Sequence, residues 1–145
     1  KRTTAPLRSF VRALPRDRSG AVVLFSSAAT RIGLVNHEAI SAAKGAIDGL
    51  VTSSAATYAG RRIRVNAIAP GLVVSNLTRR LVENEATRRA SEAMHPLGRL
   101  GDAGEIAALA AFLVSDEAGW ITGQTIVADG GLSGVKPPPS LTAPR

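Results

Sequence analysis

Residues 62–71 read Arg62-Ile63-Arg64-Val65-Asn66-Ala67-Ile68-Ala69-Pro70-Gly71. The run Ile63 to Ala69 predicts a strand, and Pro70-Gly71 breaks it, since proline has no amide to give to a ladder. Upstream, Ala21-Val22-Val23-Leu24-Phe25 is continuously apolar, the mark of a strand buried on both faces, and it ends in Ser26-Ser27. Downstream, Thr125 to Ala128 predicts a short third strand closed by Asp129-Gly130-Gly131.

Helical signals fill the intervals. Leu7, Phe10, Val11 and Leu14 fall on one stripe and predict a helix over about Ala5 to Leu14, followed by a polar loop, Arg16 to Gly20. A loop containing Gly33 follows Ser27 as far as about Asn36. Glu38 to Tyr58 predicts a long helix whose small residues (Ala42, Ala43, Gly45, Ala46, Gly49) allow close approach of another backbone, with Gly60 ending it. Asn76 to Met94 is polar with helical spacing and stops before His95-Pro96. Asp102 is expected to cap a helix through about Val114, with Glu105 completing a capping box.

Strands alternating with helices imply an α/β fold, a parallel sheet with right-handed crossovers and helices on both faces. Ligands in such sheets sit beyond the carboxyl ends of the strands. Ser26-Ser27 and Pro70-Gly71 occupy that edge.

The 145 residues suffice for one layered core, and 45% are apolar, which excludes compositional disorder. There is no cysteine, so disulfides and cysteine-ligated metal are excluded, and no metal site is expected. The longest apolar run, Ile106 to Val114, is far short of the ~20 residues that span a bilayer. A cytoplasmic protein without a membrane partner is expected. The net charge of +7 is scattered, with its densest pairs at Arg61-Arg62, Arg79-Arg80 and Arg88-Arg89. A nucleic-acid partner is not expected, because those charges form no stripe and aromatics are only 3%.

Three segments resemble the short-chain dehydrogenase/reductase family. Arg62 to Gly71 resembles its sixth strand and the turn over the nicotinamide. Gly98-Arg99-Leu100-Gly101 with Glu105-Ile106-Ala107, Phe112 to Ala118, and Ile121-Thr122-Gly123-Gln124 running to Asp129-Gly130-Gly131 resemble its C-terminal signature. Val22 to Ser27 resembles its fifth strand and catalytic serine, and the whole likeness covers about residues 5 to 134. It implies the C-terminal portion of a Rossmann-type doubly wound parallel sheet, about three strands with flanking helices. Residues 135–145, with Pro137-Pro138-Pro139, are expected to form a frayed tail.

The resemblance also implies hydride transfer between NAD or NADP and a small-molecule carbonyl or alcohol. Ser27 matches the family's serine, whose hydroxyl would bond the substrate oxygen where charge develops. Lys44 matches its lysine, which would hold the nicotinamide ribose and lower the proton donor's pKa. Pro70 and Gly71 would let the backbone approach the ring, with Val73 and Ser75 as further cofactor contacts; Ser75 replaces the family's usual threonine. Each has a plainer alternative: a turn or helix cap for Ser27, a solvated charge for Lys44. Asn66 and Asp129 are read as structural, and Trp120 as core or interface.

The chain departs from the family twice. Position 40, four residues before Lys44, should be the catalytic tyrosine and is Ile40, which cannot donate a proton. Tyr58, the only tyrosine, lies 14 residues beyond Lys44, about 21 Å along one helix. Among His37, Glu38 and Ser41, His37 is the best substitute, since imidazole titrates near neutrality; its plainer role is a loop or cap residue. The second departure is the absence of the family's Gly-x-x-x-Gly-x-Gly turn; Gly98, Gly101 and Gly104 have the wrong spacing. A truncated product, gene fragment or partial read of a longer protein is the economical expectation, poorly stable and inactive by itself, with an open apolar edge at Ala21 to Phe25. Relatives commonly form dimers or tetramers, which implies a homo-oligomer. A non-catalytic member acting only through oligomerisation is the alternative.

Overall fold

The computed structural model describes residues 4–136. Helix α1 (Ala5–Ala13) precedes strand β1 (Gly20–Phe25), helix α2 (Glu38–Tyr58) and strand β2 (Ile63–Pro70). After them come β3 (Val73–Val74), α3 (Arg79–Glu83), α4 (Glu85–Met94), β4 (Gly101–Asp102), α5 (Ala103–Val114) and β5 (Thr125–Ala128). The main sheet is parallel in the order β1-β2-β5, with Gly20 opposite Ile63 and Ala67 opposite Thr125. The three expected strands and the expected α/β layering are all present.

Alternation along β2 builds the two faces of the core. Ile63, Val65 and Ala67 pack with Leu7 and Val11 of α1 and with Val51 and Ala55 of α2. Ile68 points the other way, against Leu113 and Ala118. A central strand with helices on both faces needs apolar residues at nearly every position, and β2 is buried from Ile63 to Ala69 except at Arg64.

Arg64 explains itself. It lies on the α5 face, where its guanidinium donates to Leu113 O (2.8 Å) and Ser115 O (2.8 Å). Those carbonyls lie at the C-terminal end of α5, where intrahelical donors run out, and a cation there also suits the helix dipole. Arg64→Ala is expected to lower stability by about 2–3 kcal/mol, read as a lower denaturant midpoint, with Arg64→Lys recovering only part.

The capping box forms as expected: Asp102 Oδ1 accepts from Gly104 N (2.7 Å), and Glu105 Oε2 accepts from Asp102 N (2.8 Å). Other details differ from expectation. The stretch from Asn76 to Met94 is two helices, because Asn84 breaks it and caps α4 by accepting from Thr87 N (2.9 Å). Gly60 does not end α2; a 3-10 turn over Ala59–Arg61 follows, and Arg62 takes the left-handed conformation at φ 56°. The Arg62 guanidinium donates to Asp17 O at 2.6 Å, a tie that helps offset the strain of that conformation. The short parallel pair β3–β4 was not foreseen. Trp120 is fully exposed, so it is not core in this chain.

Of the expected tail, Pro137-Pro138-Pro139 lie outside the described residues. No helix among the described residues is long and apolar enough to cross a membrane.

Candidate active site at the carboxyl edge of the sheet

β1 and β2 end side by side, and the chain leaving β1 stays on the ladder for one more residue: Ser26 N donates to Ile68 O at 2.8 Å. The Ser26 hydroxyl, buried, donates to Lys44 O. Ser27 then turns the chain into a 3-10 turn (Ala28–Thr30), its Oγ accepting from Ala29 N at 3.2 Å. Ser41 ties α2 to this turn by donating to Ala29 O at 3.0 Å. The start of α2 is thereby fixed beside the end of β1.

His37 occupies the N-cap position of α2, but its side chain makes no capping bond. Its Nδ1 lies 2.8 Å from Val35 O. A carbonyl oxygen only accepts, so Nδ1 carries the proton and Nε2 is the bare nitrogen of the neutral ring. Ile40 is 44% exposed one turn into α2. A cleft of about 650 Å³ gathers Ser27, His37, Ile40, Pro70, Gly71 and His95.

The other sequence candidates lie elsewhere. The Lys44 ammonium donates to Phe25 O at 2.9 Å and is not among the residues lining the cleft. Val73 pairs with Gly101 in β3–β4, and Ser75 closes a turn with Thr78 (Oγ to Oγ1 3.1 Å). Neither lines the cleft.

His95 also lines the cleft, although in the sequence it only marks where the helical spacing of Asn76 to Met94 stops. It is buried, with Nδ1 2.6 Å from Ser91 O, and it accepts from Leu72 N through Nε2 at 3.3 Å. Its partner Leu72 is 23 residues away, and no local spacing signals that contact. Gly71 is wedged between: a Cβ there would lie 2.8 Å from His95 Nε2 and 3.0 Å from Asp129 Cα.

Asp129 packs against Gly71 and lines a neighbouring hollow rather than the cleft itself. Its carboxylate accepts from Gly131 N (2.9 Å) and Ser133 N (2.8 Å) across a turn in which Gly130 and Gly131 have φ of 61° and 90°. Burial would raise its pKa, but hydrogen bonds from Ser133 and Gly131, with His95 nearby, hold the carboxyl below its usual range. Glu105 is pulled to about 2 by its hydrogen bond from Arg99, then by the Asp102 amide. Both groups bind fewer protons folded than unfolded, so their stabilisation is present above the unfolded carboxylate value and is lost as pH falls through the folded one. Thermal stability is therefore expected to fall from about pH 4 downward. Asp129→Asn should flatten part of that fall. Glu105 is exposed, so its share should be smaller and sensitive to salt.

A family model described as enoyl-(acyl carrier protein) reductase matches residues 3–133. The chain belongs to the short-chain dehydrogenase/reductase family. Among curated relatives of this short-chain dehydrogenase/reductase chain, a tropinone reductase homolog of Arabidopsis thaliana is 43% identical over 122 residues, 83% of this chain and 44% of the relative. The 3-oxoacyl-[acyl-carrier-protein] reductase of Salmonella typhimurium is 38% identical over 125 residues, 86% of this chain and 50% of that protein. A solved structure from Agrobacterium tumefaciens, assigned as a 2-deoxy-d-gluconate 3-dehydrogenase with bound NADP, superposes with a TM-score of 0.81 at 35% identity. That match covers 87% of this chain and 52% of the other. The chain thus spans about half the length of the relatives it matches.

Proposed function

We propose that this chain carries the nicotinamide and substrate side of an NAD(P)-dependent oxidoreductase, with His37 exchanging the proton that accompanies hydride transfer. One observation carries the proposal: Ser27, His37, Pro70 and Gly71 share a single cleft at the carboxyl edge of the sheet. The residues fit the nicotinamide side of a dinucleotide. The cleft is of ligand size, combines apolar walls with a few polar groups, and admits the backbone turn at Gly71. They do not supply a pyrophosphate grip, which we assign to sequence outside these 145 residues, in keeping with a span of half the relatives.

The bound dinucleotide supplies or accepts the hydride. In carbonyl reduction the Ser27 hydroxyl donates to the substrate oxygen as negative charge develops there. Protonated His37 gives its Nε2 proton to that oxygen, producing the alcohol and leaving a neutral ring. In alcohol oxidation the bare Nε2 accepts the hydroxyl proton instead. The bond from Nδ1 to Val35 O fixes the ring for both directions. Lys44, now held on Phe25 O, is one turn beyond Ile40 and within the same helix as a ribose contact.

Ile40 favours a second reading, a non-catalytic homo-oligomer, for which exposed Trp120, Phe112 and Val114 would offer an apolar surface. Titration of the chain with nicotinamide mononucleotide, followed by amide chemical shifts, tests the first. Shifts at Ser27, His37 and Gly71 are expected, and adenosine monophosphate should leave them unmoved. A nicotinamide probe that perturbs none of the three defeats the site assignment.

A further inference from the structure

We propose that His95 is a positioning residue for the nicotinamide turn, holding the Leu72 amide so that the Gly71 backbone presents a fixed surface to the ring; this rests on the function proposed above. The hydrogen-bond chemistry is one-directional. Ser91 O can only accept, so the His95 Nδ1 bears the proton. Leu72 N–H can only donate, so Nε2 must be bare. A single neutral tautomer satisfies both neighbours, and the buried ring has little water to substitute for either, at 4% exposure.

The contact links two elements. Ser91 belongs to α4, and Leu72 leaves the turn that ends β2. Gly71 also donates to Ala128 O at 3.2 Å, so the turn is pinned from β5 on one side and from His95 on the other. The space between is full: a Cβ at Gly71 would meet the His95 ring and the Asp129 backbone. Movement of the ring therefore moves the turn. His95 itself lines the cleft, together with Gly71 and Leu72, so a shift in the turn changes the surface that a nicotinamide would meet.

Two substitutions separate the bonds. A glutamine amide reaches the place of Nε2 and can accept from Leu72; an asparagine amide reaches only the place of Nδ1 and can serve only Ser91. The measurement is the dissociation constant of nicotinamide mononucleotide, with the melting temperature of each variant beside it. His95→Gln is expected to keep wild-type affinity, whereas His95→Asn weakens it by about tenfold, the size of one lost hydrogen bond. Equal affinities in both variants, or losses in both that simply track melting temperature, overturn the positioning role. Absence of any nicotinamide response in the wild type defeats the underlying site assignment first, before a variant is made, and the His95 role falls with it. A nitrogen-15 correlation spectrum of the unsubstituted chain gives a check that requires no variant. It should show the His95 proton on Nδ1, and a proton on Nε2 overturns the proposal.

Discussion

His37→Ala is expected to lower carbonyl-reduction turnover by about 10²–10⁴-fold, the usual worth of a positioned acid–base group. The cleft offers few other proton carriers. Ile40 has none, Ser27 is committed to the substrate oxygen, and the His95 ring is spoken for at both nitrogens. The effect should fall mainly on the maximal rate, because an exposed ring at the head of α2 adds little to ground-state binding. His37→Gln, which keeps polarity but cannot exchange a proton, should be as slow as alanine. Adding Ile40→Tyr to His37→Ala should recover part of the loss, since position 40 faces the same cleft one turn along α2. Full activity of His37→Ala removes the histidine from the mechanism.

Asn66→Ala produces the largest expected loss of stability, about 3 kcal/mol or more. Asn66 is 1% exposed in the middle of β2. Its Nδ2 donates to Ile121 O at 2.9 Å and its Oδ1 accepts from Gln124 N at 3.1 Å. Alanine leaves the Gln124 amide without its acceptor, leaves Ile121 O only the longer 3.4 Å bond from Arg64, and opens a small void between the sheet and the segment that leads into β5. Asn66→Asp is also expected to destabilise, because Ile121 O then faces a carboxylate with no donor at neutral pH. Urea denaturation with the midpoint and slope both fitted checks this; a change below ~1 kcal/mol would show that water replaces the lost bonds.

Much of the fold was legible because its decisive signals are local. Val22 to Phe25 and Ile63 to Ala69 are β-prone runs with clear ends, and Asp102 with Glu105 spells a capping box within four residues. The cleft was partly legible for a different reason: parallel topology sends Ser27 and Gly71 to the same edge whatever the loops do. Most of what escaped reading depends on distant partners. His95 acquires its role from Leu72 and Ser91 only when α4 folds back over the turn. Arg62, rather than Gly60, takes the left-handed position, and its guanidinium finds Asp17 O 45 residues away. Asn84 splits a polar stretch whose helical spacing runs on either side of it, so only the cap geometry reveals the break.

The match to the family fixes the scaffold but leaves the proton open, because the residue that departs from the pattern is the one that should carry it. Trp120, fully exposed, lines one surface hollow with half-exposed Val114.

The most direct test follows the hydride itself. The protein is incubated with a panel of small carbonyl compounds and dihydronicotinamide dinucleotide carrying deuterium at the transferred position. Mass spectrometry of the alcohol product is then expected to show one deuterium on the carbinol carbon, with the label lost from the cofactor. If the cofactor binds but no carbonyl acquires deuterium, the protein is not a hydride-transferring enzyme, and the non-catalytic homo-oligomer becomes the better description.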